Sequence, residues 1–182
     1  MPNPRLDQLE LLIEGFRACP PLPEEILTLV GGLALDGTTT GTPQINSNQF
    51  AVVERASQGD DTAQAAENLG WKETEVIKVR KQLLALYRVP QMSGVIDKVI
   101  RDGTLSFTAE EGPYKPLSRQ VDLVLEAFCV GMPNTMISRA LGQSRKQFGD
   151  NSHLQVRKRT GADGRTNAVL QAYRRRYRQL PS

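Results

Sequence analysis

The chain contains an internal repeat, which constrains its fold more than any other feature of the sequence. When the sequence is shifted by 72 residues, glycines and apolar residues of one part fall on those of another. The matching pairs are Val52 and Val124, Val53 and Leu125, Gly59 and Gly131, Leu69 and Leu141, Gly70 and Gly142, and Val76 and Phe148. Beyond Phe148 the second copy needs one extra residue, after which Val95 and Ile96 fall on Ala168 and Val169. A repeat of this kind predicts two structurally related units in one chain.

The apolar pattern predicts an all-α fold. Apolar residues recur three and four positions apart in long stretches, and strand-like alternation is nearly absent. Residues 6–16 place four apolar side chains on one helical face, namely Leu6, Leu9, Ile13 and Phe16. A second helix is expected from Pro23, with Glu24 and Glu25 near the positive end of its dipole.

Two stretches rich in turn-forming residues divide the chain. Residues 36–47 and 102–116 carry Thr, Gly and Pro and are predicted as linkers. The predicted segments are an acidic helical N-terminal unit with its linker (1–47), a first unit (48–105), a linker (106–116) and a second unit (117–182). The second unit ends in the Arg-rich segment 173–179, which we expect to continue its last helix.

Positive charge is concentrated in the C-terminal third. Residues 117–182 carry twelve Lys and Arg against four acidic residues, a net charge of +8, whereas residues 1–116 have a net charge of −5. Residues 48–105 are neutral, with eight basic and eight acidic side chains. This asymmetry predicts that the C-terminal third contacts a polyanion. The alternative is an ordinary solvated basic face.

Local signals in the second copy predict its helices. A first helix is expected from Ser118 to Val130. A second helix is expected to begin at Asn134 as the N-cap and to stop at Gly142, which can adopt the left-handed conformation that closes a helix.

The third helix of this copy is expected to begin at Ser144. Gln147 follows three residues later, as in a capping box. The turn before Ser144 is short and contains glycine, and the new helix opens with Arg145 and Lys146. This is the helix-turn-helix pattern, in which the second helix lies in the major groove of DNA.

Residues 117–173 resemble the LuxR/GerE-type DNA-binding domain. The matching motifs are Leu117-Ser118, Gly131, Ile137-Ser138, Leu141 to Ser144, His153-Leu154 through Gly161, and Arg165-Thr166-Asn167-Ala168-Val169. Sigma factor region four shares the same core. The resemblance implies a four-helix domain whose fourth helix often forms a dimer contact. Residues 48–101 resemble the same domain more faintly, so the expected fold is two tandem four-helix domains after a short helical unit.

The second copy departs from the family pattern at three places. The acidic residue of the first helix is displaced to Asp122, and Gln147-Phe148 replace the Thr-Val of the recognition helix. Gly149-Asp150 interrupt that helix, where glycine costs about 1 kcal/mol relative to alanine.

The predicted DNA contacts of the second unit fall into two classes. Base or groove contacts are expected from the start of the third helix, because Arg and Lys donate to guanine and Gln pairs with adenine; these residues are Arg145, Lys146 and Gln147. Phosphate contacts, which position the protein without specifying sequence, are expected from Arg157, Lys158, Arg159 and Arg165. The full candidate set also includes Ser144, Asn151, His153 and Thr166. The alternative is an exposed helix start with ordinary surface charges.

The first copy offers weaker candidates. Its auxiliary DNA contacts would be Lys72, Thr74, Lys78 and Lys81. Glu75 repels phosphate and Ile77 cannot donate a hydrogen bond, so this copy either binds DNA weakly or serves as a packing and interaction module.

The sequence argues against catalysis, metal binding and membrane insertion. It contains no Ser/His/Asp set or glycine-rich phosphate loop, so no enzyme and no cofactor are expected. A single histidine and the absence of CxxC or HExxH spacing predict no metal site. Cys19 and Cys129 are interpreted as buried thiols in a reducing compartment. Without a signal peptide or an apolar span of about 20 residues, the expected location is cytoplasmic, nucleoid-associated when DNA is bound.

Charge and resemblance together predict a sequence-specific DNA-binding transcriptional regulator. Double-stranded DNA is the expected partner, the second unit the main reader, and the first unit an auxiliary DNA or protein contact. The alternative is an adaptor that binds RNA polymerase or another regulator through residues 1–105 with little sequence-specific DNA recognition. A homodimer through the fourth helix is left open.

Overall fold

The chain folds into helices joined by turns and loops. The computed structural model describes residues 3–34 and 43–180, and no strand occurs among them. The prediction of an all-α fold is therefore confirmed. Of the predicted linker 36–47, residues 36–42 lie outside the described residues.

Two helices lie within residues 3–34, before the repeated part of the chain. Helix α1 (Pro4–Ala18) is capped by Asn3, whose side chain accepts a hydrogen bond from the Arg5 backbone N–H. All four apolar residues predicted on one face of α1 are buried. Helix α2 (Glu24–Ala34) follows Pro23 and carries Glu24 and Glu25 in its first turn, as expected.

Eight further helices lie within residues 43–180 and form two runs of four. The first four-helix unit consists of α3 (Ser47–Gln58), α4 (Thr62–Leu69), α5 (Glu73–Tyr87) and α6 (Met92–Arg101). The second four-helix unit consists of α7 (Arg119–Cys129), α8 (Asn134–Ala140), α9 (145–160) and α10 (Arg165–Arg174). Equivalent residues with positive φ follow the first three helices of each unit, in the pairs Gly59 and Gly131, Gly70 and Gly142, and Arg88 and Gly161. The sequence repeat is thus matched by a repeat of helices.

Helix α9 contains a π-helical turn. It is α-helical over Arg145–Gln147, π-helical over Phe148–His153 and α-helical again over Leu154–Thr160. Gly149-Asp150 therefore lie within a continuous helix instead of ending it.

The π-helical turn accommodates the extra residue of the second copy. In α5 the buried residues Val76 and Leu83 are seven positions apart, whereas in α9 the equivalent Phe148 and Val156 are eight apart. An α-helix repeats every 3.6 residues, so a spacing of eight rotates the second side chain away from the first. A π-helical turn absorbs the additional residue. Both side chains consequently remain in the core, with exposures of 2% and 0%.

The two four-helix units pack against each other through their last helices. Helices α6 and α10 are in contact, α6 also packs against α7, and α10 packs against α3. Each last helix thus contacts the first helix of the other unit. At equivalent places, Gly94 lies against Gly131 and Asn167 lies against Gly59. These reciprocal contacts describe an approximate two-fold arrangement within one chain.

Buried hydrogen bonds join the units at this interface. The Tyr173 hydroxyl donates to Asp97 Oδ1 at 2.8 Å, and the Asn167 side-chain amide donates to the Ser57 carbonyl oxygen at 2.7 Å. The segment between the units is held here as well, since the Phe107 and Tyr173 rings are 5.9 Å apart. The last helix of each unit is therefore packed against the other unit of the same chain.

The Arg-rich segment does not continue the last helix as expected. Helix α10 ends at Arg174, and Arg176 has a φ of +56°. Arg174 and Arg175 pair with Glu110. Arg178 pairs with two acidic residues of α7, Asp122 and Glu126. These ion pairs bend the segment back onto the protein and engage three of its four arginines.

The two N-terminal helices contact different units. Helix α1 packs against α7 and α8 of the second unit, whereas α2 packs against α5 of the first. The cysteines also differ from each other, because Cys129 is buried but Cys19 is exposed. The prediction that both thiols are buried is therefore wrong for Cys19, which lies just beyond the C-terminal end of α1.

Candidate nucleic-acid interface

Helices α8 and α9 form a compact corner in the second unit. Ile137 and Leu141 are buried on the inner face of this corner. Gly142 has a φ of +62°, as predicted for a residue that closes a helix. The prediction for the start of α8 is off by one residue, because Pro133 occupies the N-cap position and Asn134 is the first helical residue.

A capping box fixes the start of α9. Ser144 Oγ accepts a hydrogen bond from the Gln147 backbone N–H at 3.2 Å, and Gln147 Oε1 accepts one from the Ser144 backbone N–H at 2.9 Å. The predicted capping box is confirmed. Gln147 consequently uses one acceptor position of its amide oxygen at the start of the helix, and its amide N–H groups remain available to a ligand.

Arg145 and Lys146 lie at the exposed start of α9. Both side chains face solvent, and neither takes part in an ion pair with any carboxylate in the described part of the chain. The arginines of the Arg-rich segment are different, because most of them form ion pairs. The corner therefore presents positive charge that no carboxylate of the described residues pairs with, at the capped start of a helix.

The π-helical turn is tied to the corner by a buried serine. Ser152 Oγ accepts a hydrogen bond from the Gln120 side chain at 2.9 Å and donates to Gln143 Oε1 at 3.0 Å. The turn preceding α9 is thereby linked to α7 and to the middle of α9. Asn151, the neighbouring candidate contact, is exposed.

His153 lies inside this region. Its ring stacks on Phe148 at a centroid distance of 6.2 Å and meets Phe128 edge-on at 5.4 Å. The Nε2 atom is buried without a hydrogen-bond partner. Burial, together with the nearby charges of Arg157 and Arg165, lowers the pKa of His153 below its usual value of 6.5. The fold therefore favours the neutral imidazole.

Arg165 is directed into the protein. Its guanidinium donates to Ser93 Oγ at 2.9 Å, Asn134 Oδ1 at 2.8 Å and the Met132 carbonyl oxygen at 2.5 Å. It also lies over the Phe128 ring, with Cζ 4.6 Å from the centroid. Burial lowers the pKa of Arg165 to about 9, so the group stays charged at neutral pH. In this conformation Arg165 joins the two units, since Ser93 belongs to α6, and does not extend to the surface of the corner.

The other predicted phosphate contacts lie at the far end of α9. Lys158 and Arg159 are exposed, whereas Arg157 is half-buried and donates through Nε to the Ala162 carbonyl oxygen at 3.3 Å. Thr166 is half-buried in the first turn of α10. Of the candidate set, Ser144, Arg145, Lys146 and Gln147 thus cluster at the corner, while Lys158 and Arg159 form a separate basic end.

The equivalent corner of the first unit carries a different charge. Lys72, Thr74 and Lys78 are exposed there, but Glu73 and Glu75 occupy the first turn of α5. The Glu75 carboxylate accepts a hydrogen bond from the Lys72 backbone N–H at 2.9 Å.

Helix α2 packs against α5. The Lys81 ammonium pairs with Glu25 at 2.5 Å, which lowers the pKa of Glu25. Of the four auxiliary candidates, Lys81 is therefore neutralised by a carboxylate of the same chain.

The sequence did not predict that one further cationic side chain lies near the second corner. Arg5 of α1 lies against the turn between α8 and α9, and its Nη1 donates to the Leu141 carbonyl oxygen at 3.3 Å. The two residues are 136 positions apart, so no local pattern could have connected them.

The described residues provide no evidence of a metal centre or a transmembrane segment. Within residues 3–34 and 43–180, no group of three or more His, Cys, Asp or Glu side chains is placed to hold a metal ion. No helix of this part of the chain is long and apolar enough to cross a membrane. Comparison with protein-family models, curated proteins and solved structures finds no match for the chain.

Proposed function

We propose that this protein is a sequence-specific DNA-binding transcriptional regulator whose second four-helix unit contacts DNA as a LuxR/GerE-like helix-turn-helix domain. The observation that carries this proposal is the exposure of Arg145 and Lys146 at the start of a helix, where neither forms an ion pair with a carboxylate of the described residues. That start is held by the Ser144–Gln147 capping box and by the turn at Gly142. In helix-turn-helix proteins the same position contacts base edges in the major groove.

Binding would proceed through two kinds of contact. The net positive charge of residues 117–182 attracts the phosphate backbone and accelerates association, with a strong dependence on salt. Insertion of the start of α9 into the major groove then allows Arg145 or Lys146 to donate to guanine. Lys158 and Arg159 at the other end of α9 are suited to phosphate contacts.

The first unit would have a supporting role. Its corner carries Glu73 and Glu75, and Lys81 is neutralised by Glu25, so it offers less positive charge than the second corner. The reciprocal packing of the units nevertheless gives the chain two corners in a fixed relation. A weak contact from the first unit would then raise the overall affinity through its high effective concentration, without dimerisation of two chains.

A second candidate function is that of an adaptor. Large apolar side chains are exposed in residues 1–105, namely Leu11, Leu12, Leu27, Leu29, Phe50 and Ile77. Exposed apolar groups near acidic residues suit binding to RNA polymerase or another regulator. In this case the second unit would bind DNA with little sequence preference.

Selection from a random pool of duplexes distinguishes the two functions. The proposal predicts enrichment of a defined sequence, and the selected duplex then serves for affinity measurements. The double variant Arg145→Ala/Lys146→Ala should weaken binding to that duplex by about 10-fold or more, because one good base contact contributes about 1–3 kcal/mol. It should also lose most of its preference over a scrambled duplex.

The matched control is Lys115→Ala/Arg176→Ala, which removes the same charge from exposed residues outside the corner. This control should reduce the affinity for both duplexes similarly and preserve the preference between them. Failure to enrich any sequence, or equal behaviour of the two double variants, would exclude base contacts by the corner and leave the adaptor function.

A further inference from the structure

Arg5 brings a cation from the N-terminal helix to the turn of the second corner. A Cβ atom placed on Gly142 would lie 2.6 Å from Arg5 Cζ, so the guanidinium lies directly over this glycine. Gly142 is two residues before the Ser144 N-cap of α9. Arg5 is therefore adjacent to the end of α9 at which Arg145 and Lys146 are exposed.

Helix α1 is fixed in this position by several contacts with the second unit. Leu9 and Ile13 are buried, with exposures of 0% and 2%. The Arg119 guanidinium pairs with Asp7 and Glu10, at 2.7 Å from each carboxylate. These contacts direct the acidic side chains of the first half of α1 toward α7.

Arg5 itself has no carboxylate partner among the described residues. The one hydrogen bond that its side chain makes within the described residues goes to the Leu141 carbonyl oxygen at 3.3 Å, which is long for a contact to a charged donor. The residue is exposed, and its other guanidinium N–H groups donate to no acceptor among the described residues. Arg139 of α8 is exposed as well and takes part in no ion pair of the described part. The corner thus combines cations from α1, α8 and α9.

We propose that Arg5 is a DNA-phosphate contact supplied to the second corner by α1. The inference rests on the proposed DNA-binding function. A phosphate at this corner would replace the long hydrogen bond to Leu141 by charge-assisted contacts to the guanidinium fork. Phosphate contacts carry no sequence information, so Arg5 adds affinity and orients α9 without selecting bases.

The test compares Arg5→Gln with wild type on the selected duplex and on its scrambled version, over a series of salt concentrations. The expected result is a loss of about 3- to 10-fold on both duplexes at low salt, with a salt slope reduced by about 1. Arg5→Lys should retain the slope, because it keeps the charge. A role limited to capping the end of α8 would change the melting temperature but not the slope.

The matched control is Arg17→Gln, which removes a cation from the other end of α1, where Arg17 pairs with Glu126. It should leave the slope unchanged. If Arg145→Ala/Lys146→Ala weakens binding while Arg5→Gln leaves affinity and slope at wild-type values, the Arg5 contact is overturned and the proposed function stands. If neither variant changes binding, both the Arg5 contact and the proposed function are overturned.

Discussion

Gly94 and Gly131 meet backbone to backbone at the interface between the two four-helix units. A Cβ atom on Gly94 would lie 3.1 Å from the Gly131 Cα atom and 3.2 Å from Val89 Cβ. The equivalent contact on the other side of the interface is that of Asn167 with Gly59. The absence of a side chain at Gly94 thus permits the close approach of α6 to the end of α7.

We expect Gly94→Val to destabilise the protein by about 1–3 kcal/mol, because the added carbon atoms overpack the interface. Urea unfolding monitored by circular dichroism measures this change. The matched control is Gly15→Ala in α1, where an added Cβ would meet no atom within 4 Å. It should stabilise the protein by about 0.5–1 kcal/mol through helix propensity. A Gly94→Val variant as stable as wild type would contradict the packing of α6 against α7.

The local features of the second unit could be predicted from sequence because short-range signals encode them. Ser144 and Gln147 are three residues apart and cap the same helix, and Gly142 can adopt positive φ without strain. The four apolar residues on α1 follow helical periodicity. The repeat also predicted two related units, and the described helices after α2 fall into two runs of four.

The features that the sequence could not predict depend on contacts between distant residues. Arg165 looked like a surface cation because its partners Ser93, Asn134 and Met132 are remote in sequence or contribute only a backbone oxygen. The Arg-rich segment was predicted to continue the last helix. Its ion pair between Arg174 and Glu110 could not be predicted, because Glu110 lies in a predicted linker that is distant in sequence. Periodicity describes one helix at a time and does not specify which ion pairs form across the fold.

Deletion of Gly149 tests the origin of the π-helical turn. The deletion gives Phe148 and Val156 the spacing of seven found between Val76 and Leu83 in α5. We expect a regular α-helix with both side chains still buried, and a stability equal to or above that of wild type, because a helical glycine is removed. Hydrogen exchange of the amides of residues 148–153 should become slower. An unfolded deletion variant would show that the extra residue is needed for folding.

Substitution of Arg165 tests its role as a link between the units. Arg165→Ala leaves three acceptors without their donor, including Asn134 Oδ1 and the Met132 carbonyl oxygen, and should cost about 3 kcal/mol of unfolding free energy. Arg165→Lys keeps the charge but cannot reproduce the planar fork, so it should recover only part of the loss. Chemical denaturation of both variants measures these changes. If both variants match wild-type stability and the salt slope of DNA binding falls for Arg165→Ala but not for Arg165→Lys, Arg165 is a phosphate contact as the sequence predicted.

The titration of His153 tests both its environment and its predicted contact with DNA. It is the only histidine of the chain, so its imidazole C–H signals can be followed by NMR without ambiguity. We expect a pKa below 6.5, because burial and the charges of Arg157 and Arg165 disfavour the imidazolium. A depressed pKa in the fold contributes stability that is fully present above about pH 6.5 and is lost as the pH falls through the folded pKa. His153→Phe preserves the ring packing against Phe148 and Phe128 but cannot titrate, so its stability should fall less steeply in this range.

If the pKa of His153 rises when DNA is added, the imidazole contacts phosphate. An unchanged pKa in the complex would instead make His153 a packing residue of the second unit, in contact with Phe148 and Phe128.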